Sequence, residues 1–262
     1  PTKRIDALKS AVNAFIEKVA EKNTDAIGHR ISIVKFAGKK ATKVGNNTYR
    51  KDGYTYNYSQ IVKNLTIVND AGKEALTTAV NDLQPAGATR ADYGMQQAQT
   101  ELNTNSTDSS REKVVVMFTD GSPNSSNGFD DKVASSAISA AKDLKDTGVK
   151  VYTIGIFNGA NPSADVTTDA SNENKYMHAV SSNYPNATLD LKHTGILDWE
   201  WQWDFGTRAE DEDSNYYLSA TDADGLNKVF QEIYDSITNT DVTAGTSAVL
   251  RDTLMKQFVL NG

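Results

Sequence analysis

The stretch VVVMFTDGSPN, residues 114–124, runs from a block of apolar side chains directly into polar residues and a turn. A short, continuous apolar run of this kind predicts a strand that is buried on both faces, as in a parallel sheet covered by helices. Ligands of open parallel sheets bind beyond the carboxyl ends of the strands. Because Thr119, Asp120 and Ser122 follow this strand directly, we expect them at the binding edge of the sheet.

Helix and strand patterns alternate on both sides of that strand. Apolar residues at helical spacing predict helices over 4–22, 73–83, 91–102, 130–148 and 221–237. Further apolar runs predict strands over 29–37 and 149–157, and Val44 is assigned to a short partner strand. Alternation of this kind indicates a doubly wound α/β fold, in which helices cover both faces of a mainly parallel sheet.

Two polar segments interrupt the alternation, and we interpret them as inserted arms. The first, about 45–60, is rich in tyrosine and has turn sequences; the second, about 158–219, holds all three tryptophans. Exposed aromatic side chains contribute large contact areas at low entropic cost. We therefore predict ligand contacts at Tyr54, Tyr56, Trp199, Trp201 and Trp203. Ser122, at the binding edge of the sheet, is a further predicted ligand contact. The alternative for the tryptophans is that they anchor the second arm to its own domain.

Composition excludes several classes of function. The net charge of −7 and the lack of a long basic cluster argue against a nucleic-acid partner. No apolar stretch reaches the roughly 20 residues needed to cross a bilayer, so we expect no membrane insertion of this chain. The chain has no cysteine, which removes thiol catalysis and thiolate metal sites. His29, His178 and His193 share no zinc-binding spacing, and each is predicted to be a surface or loop residue.

A second loop is predicted at the same edge of the sheet. In PAGATRAD, residues 85–92, Thr89 lies just before a predicted helix. Taken separately, Thr89 and Asp120 have an ordinary structural explanation, because threonine and aspartate often cap helices and turns. Taken together, they place a hydroxyl and a carboxylate at one edge of the sheet.

The segments HRISIVKFA, GATRADYGMQQA, KVVVMFTDGSPN, GVKVYTIGIF and TDADGLNKVFQEI resemble, in order and spacing, the von Willebrand factor A-type domain over roughly residues 1–238. The resemblance implies that Thr89 and Asp120 are ligands of a metal-ion-dependent adhesion site that holds Mg²⁺ or Mn²⁺. Such hard ions prefer carboxylate, hydroxyl and water oxygens. That family also has a first strand ending in Asp-x-Ser-x-Ser, which this sequence lacks, so we expect metal binding to be weak or absent without it.

The two arms narrow the resemblance to the adhesive tip pilins of Gram-positive bacteria. It implies an A-type domain over 1–240, then a linker and the start of an immunoglobulin-like module over 241–262; the alternative is that this tail packs as an extra strand. The expected function is non-enzymatic adhesion, as a virulence factor of a cell-wall-anchored extracellular pilus. The implied partners are a host matrix protein or surface receptor and the pilus backbone. The alternatives are a non-adhesive scaffold or assembly domain and, less favoured, a carboxylate-based hydrolase.

Overall fold

The chain folds into a central sheet between two layers of helices. The computed structural model describes residues 4–23, 28–126, 128–168, 170–195, 197–210, 215–238 and 247–252. The helices within these ranges are α1 (Arg4–Lys22), α2 (Asp70–Asn81), α3 (Ala91–Asn105), α4 (Asp131–Asp146), α5 (Asn172–Val180) and α6 (Ala223–Thr238). The strands are β1 (Arg30–Lys35), β2 (Thr48–Lys51), β3 (Tyr54–Asn57), β4 (Gln60–Ile67), β5 (Lys113–Thr119), β6 (Lys150–Gly155), β7 (Thr188–His193), β8 (Trp199–Asp204), β9 (Tyr217–Ser219) and β10 (Ser247–Asp252).

Six strands form the central sheet in the order β4-β1-β10-β5-β6-β9. Only β4 runs antiparallel to its neighbour; the other pairs are parallel. The prediction of a doubly wound, mainly parallel α/β fold is therefore confirmed. None of the helices in the described ranges has the length and apolar character required to cross a bilayer.

The apolar side chains of β5 pack on both faces of the sheet. Successive side chains of a strand point to opposite faces. Val114, Val116 and Phe118 accordingly pack in the core beneath α1, α2 and α6, whereas Val115 and Met117 pack in the core beneath α3, α4 and α5. Both faces must be apolar in such a layered fold, which is why the strand reads as a continuous apolar block.

The centre of the sheet is formed by the last described strand of the chain. β10 runs parallel to β1 along its whole length and pairs with β5 over Ser247–Leu250. Of the two predictions for the tail, the structure therefore has residues 247–252 as an additional strand of this domain. The remaining residues of the predicted linker and module lie outside the described ranges, and the boundary at residue 240 stays a prediction.

The first arm is a two-stranded hairpin of β2 and β3. Its turn is Asp52-Gly53, with φ of 52° and 81°, the left-handed backbone that a tight hairpin turn requires. The sequence prediction for Val44 was wrong, because Val44 lies outside the strands and is 41% exposed. The antiparallel partner of β1 is β4, at the sheet edge. β4 contains polar residues because an edge strand is partly exposed to solvent, and its sequence therefore lacks the continuous apolar run that predicts a buried strand.

The second predicted arm, 158–219, is divided in the structure. In the described part of this segment, only β7 and β8 form a separate hairpin. α5 packs Tyr176, Met177 and Val180 into the core, and β9 is an edge strand of the central sheet, next to β6. A nine-residue helix is shorter than the window in which helical periodicity is recognised, so the sequence pattern did not reveal α5.

Candidate functional site

Two loops meet at the carboxyl edge of the sheet. The loop before α3 and the loop after β5 form an isolated antiparallel bridge between Thr89 and Asn124. The backbone N–H of Asn124 donates to the Thr89 carbonyl at 3.0 Å, and the Thr89 N–H donates to Asn124 Oδ1 at 3.2 Å. These hydrogen bonds hold Thr89 beside the segment that contains Asp120 and Ser122.

Thr89 has a buried hydroxyl without a hydrogen-bond partner. The residue is 1% exposed, and its Oγ1 bonds to no atom of the described residues. Thr89 does not cap α3, because the residue at the cap position is Arg90 and no side chain caps this helix. Buried polar atoms are nearly always satisfied, so an orphaned hydroxyl at a strand edge indicates a missing partner, such as an ion or water.

Asp120 is also buried, at 3% exposure, directly after β5. The helix that follows is capped by Asp130, whose carboxylate accepts from the N–H groups of Lys132 and Val133. The tight turn after β5 is closed by the hydroxyl of Thr119, which donates to the Gly121 carbonyl at 3.0 Å. Asp120 therefore does not cap α4, the helix that follows it in the chain.

Ser122 is held by a residue that sequence reasoning missed. Its hydroxyl donates to Oε1 of Glu173 at 2.7 Å, and Glu173 lies in the first turn of α5. Asn124 was missed as well. Asp120, Ser122 and Asn124 follow one another at intervals of two residues, and this regular spacing of polar residues could have indicated Asn124. Glu173 gave no signal, because its helix lies in the segment interpreted as an arm.

The donor set at this edge fits a hard divalent cation that retains water. It consists of hydroxyl, amide and carboxylate oxygens, and Mg²⁺ in proteins is often held by one or two carboxylates with several waters. Within the described residues no three acidic or histidine side chains cluster closely enough to hold a metal by themselves. Asp92, close in sequence, is engaged by the Arg90 guanidinium at 2.6 Å. Thr89 and Asp120 stay the predicted metal ligands at this edge.

A buried lysine fixes the first hairpin next to this site. Lys35, at the end of β1, donates to Asn46 Oδ1 at 2.6 Å and to the Asn47 carbonyl at 2.8 Å. It also donates to Asn57 Oδ1 at 3.3 Å, so one ammonium group ties both ends of the hairpin to the sheet. Burial lowers the pKa of Lys35 to about 8.

The predicted aromatic contacts differ in their surroundings. Tyr54 is 66% exposed at the hairpin turn, and Tyr56 is half-buried and stacks on Tyr49 with ring centroids 5.6 Å apart. Trp199 is 59% exposed. Trp201 and Trp203 are half-buried and pack against the core beneath α4 and α5, which supports the anchoring alternative for these two. All of them remain predictions as ligand contacts.

A family model and the structures of one pilus adhesin agree with this architecture. The family model of the von Willebrand factor type A domain matches residues 3–191. Two crystal structures of the pilus adhesin SpaC from Lactobacillus rhamnosus GG, one of them in an open conformation, each align with 89% of this chain at TM-scores of 0.54 and 0.52 and 16% and 15% identity. This chain spans 28% of the length of that adhesin. Manganese-loaded TRAP from Plasmodium vivax aligns at a TM-score of 0.45 with 17% identity, over 89% of this chain and 65% of its own. A search of curated proteins found no match.

Proposed function

The chain belongs to the von Willebrand factor type A family, and from this premise we propose that it is a cell-adhesion module of a bacterial pilus. It would bind an extracellular matrix protein or cell-surface receptor of a host through a Mg²⁺ or Mn²⁺ site at Thr89 and Asp120, with Ser122 and the two hairpins beside it. The observation that supports this function best is the buried Thr89 hydroxyl, which lacks a partner among the described residues.

The residues at this edge would supply some of the oxygen ligands of such a site, and the ligand and water would supply the others. Asp120 contributes negative charge, Thr89 contributes a neutral oxygen, and the Thr89–Asn124 bridge fixes the distance between their loops. A bound divalent ion would supply a positive centre for an acidic group of the ligand. Because few protein carboxylates neutralise that centre, the acidic group of a ligand should contribute strongly to affinity.

The location of the chain on the pilus is also part of the proposal. We place the chain at the tip of a cell-wall-anchored, extracellular pilus of a Gram-positive bacterium, joined to the pilus backbone by neighbouring modules. The likeness to SpaC concerns the fold, and the two hairpins are the features that led to the tip-pilin assignment. The absence of a first strand with Asp-x-Ser-x-Ser stays a prediction. β10, which forms the centre of the sheet, has the sequence SAVLRD and does not contain that motif.

Calorimetric titration of MnCl₂ and MgCl₂ into the protein tests the metal site. We expect weak binding by the unaltered protein, and Thr89→Ala and Asp120→Ala should each lower the heat of binding toward that of a buffer control, since each removes an oxygen ligand. Thr100→Ala and Asp190→Ala are matched controls, because both residues are exposed and lie outside this edge. Adhesion to immobilised matrix proteins should fall in the same variants and after addition of EDTA.

Two results would change the assignment. Full metal-dependent adhesion by either site variant would exclude Thr89 and Asp120 as the adhesion site. Normal metal binding without adhesion to any matrix or cell-surface ligand would favour the non-adhesive scaffold. Turnover of a glycan or peptide substrate would instead be required to support the hydrolase alternative.

A further inference from the structure

A cleft opens directly beside the Thr89 loop. It is bounded by the β2–β3 hairpin, the segment after β1, the loop before α3 and the loop after β5, and its volume is about 880 Å³. Ligand pockets of about 300–1,000 Å³ accommodate drug-sized molecules. Ala88, Arg90 and Asn124 line the cleft and flank the proposed metal site, so one ligand can occupy both.

The cleft concentrates positive charge in an acidic protein. Its lining includes Lys39, Lys40, Lys51 and Arg90, and within the described part of the chain it includes neither aspartate nor glutamate. Arg90 is neutralised by Asp92, and Lys40 donates to Gln96 Oε1 at 3.0 Å. The ammonium groups of Lys39 and Lys51 have no carboxylate within ion-pair distance among the described residues. In a chain of net charge −7, this arrangement favours an anionic ligand.

Aromatic rings form the other part of the wall. Tyr49 and Tyr56 are stacked, with an interplanar angle of 23°, and both line the cleft. The Lys39 ammonium lies 5.2 Å from the centroid of the Tyr49 ring, and the Arg90 guanidinium lies 3.7 Å from that of Tyr93. The wall therefore combines aromatic rings with adjacent cationic groups, which suits a ligand made of rings with charged substituents.

Four backbone N–H groups of the cleft are already hydrogen-bonded within the protein. The N–H groups of Gly38, Arg90 and Asn124 donate to backbone carbonyls, and that of Lys39 donates to the Tyr49 hydroxyl. A peptide that binds by strand addition needs free backbone groups along an edge. Their engagement here disfavours an extended acidic peptide and leaves recognition to the lysine and tyrosine side chains.

We propose that this cleft binds an acidic oligosaccharide whose sugar rings pack on Tyr49 and Tyr56 and whose carboxylate or sulfate groups pair with Lys39 and Lys51. The site specifies the ligand class of the proposed adhesion module and rests on that function, but its charge contacts do not require the metal. The hairpin turn at Asp52-Gly53 holds Lys51 beside the cleft, and Lys35 ties the hairpin to β1.

Fluorescence anisotropy with a labelled heparin hexasaccharide, in EDTA, tests the proposal. We expect Lys39→Gln/Lys51→Gln to weaken binding at least about tenfold, because two charge-assisted contacts are lost. Lys192→Gln/Lys228→Gln removes the same charge from exposed positions elsewhere and should change affinity less than about twofold. Tyr56→Ala, checked for folding by circular dichroism, should also weaken binding, and neutral maltohexaose should not bind.

Several outcomes would overturn the proposal. These are no binding of the hexasaccharide, equal losses in the two lysine double variants, and equal binding of maltohexaose. Tighter binding of hexaglutamate or of an oligothymidylate would assign the cleft to a different class of ligand. Because the assay contains EDTA, failure here leaves the metal-dependent adhesion test with Thr89 and Asp120 variants unaffected, and failure of that test does not alter this result.

Discussion

His178 is a fully buried imidazole in α5, although the sequence predicted a surface or loop residue. Asn183 Nδ2 lies 3.1 Å from His178 Nδ1, and because an amide nitrogen donates, Nδ1 accepts and the ring proton lies on Nε2. The rings of Tyr184 and Tyr217 pack against the imidazole at right angles. Burial, with a smaller contribution from Arg208, lowers the pKa of His178 to about 4. The imidazole is therefore neutral in the folded protein at pH 7.

This pKa predicts an acid-sensitive contribution to stability. The unfolded chain takes up a proton near pH 6.5 and the folded chain only near pH 4, so stability is lost as the pH falls through that interval. The loss amounts to about 3 kcal/mol for a shift of this size. Urea unfolding at pH 7 and pH 4 should show that His178→Gln reduces the difference between the two free energies by about this amount.

The matched control is His193→Gln, because His193 lies on the exposed β7. We expect it to change the free energy of unfolding at pH 7 by less than about 0.5 kcal/mol, as is usual for an exposed position. An identical pH dependence in the wild type and in His178→Gln would contradict the assignment of this effect to the buried imidazole.

β10 is the element that holds the two halves of the sheet together. It lies between β1 and β5, which have no other parallel strand between them in the described sheet. Removing it leaves two unpaired edges in the middle of the domain. Each lost backbone hydrogen bond costs on the order of 1 kcal/mol, and a domain has only about 5–15 kcal/mol of stability.

Truncation after residue 246 should therefore abolish cooperative unfolding. We expect a weakened far-ultraviolet circular dichroism signal and exposure of apolar surface, measured by the binding of a hydrophobic dye. Truncation after residue 252 keeps β10 and serves as the control. A chain ending at residue 246 that unfolds cooperatively at an unchanged urea concentration would show that the sheet does not depend on this strand.

At the scale of the whole molecule, the loop after β5 contacts both hairpins. The loop after β5 contributes Gly128 to the cleft beside the first hairpin. The next residue, Phe129, contacts Trp203 of the second hairpin with ring centroids 6.3 Å apart. Trp203 also stacks on Phe205 at an interplanar angle of 9°. The second hairpin is thus anchored to the loop that contains the candidate site, while its far end, at Trp199, is exposed.

The two tryptophans should separate anchoring from ligand contact. Trp203→Ala is expected to lower the free energy of unfolding by about 2–3 kcal/mol, because a half-buried stacked ring is lost. Trp199→Ala should change it by less than about 0.5 kcal/mol, since its ring is mostly in solvent. Urea denaturation of both variants measures this difference. Equal effects on stability would mean that the whole face of the hairpin is structural.

The sequence by itself determined the fold class, because the apolar block at 114–118 and the helical stripes are local consequences of burial on both sides of a sheet. It also predicted that Asp120 and Thr89 would lie at one edge, since the loops of such a sheet converge beyond the carboxyl ends of its strands. The tertiary structure decided what depends on distant segments: β10 at the centre of the sheet, α5 in the core, Glu173 on Ser122 and the charge of the cleft. Local patterns do not specify such placements, because strand order and the meeting of loops are set by packing between parts of the chain that are far apart in sequence.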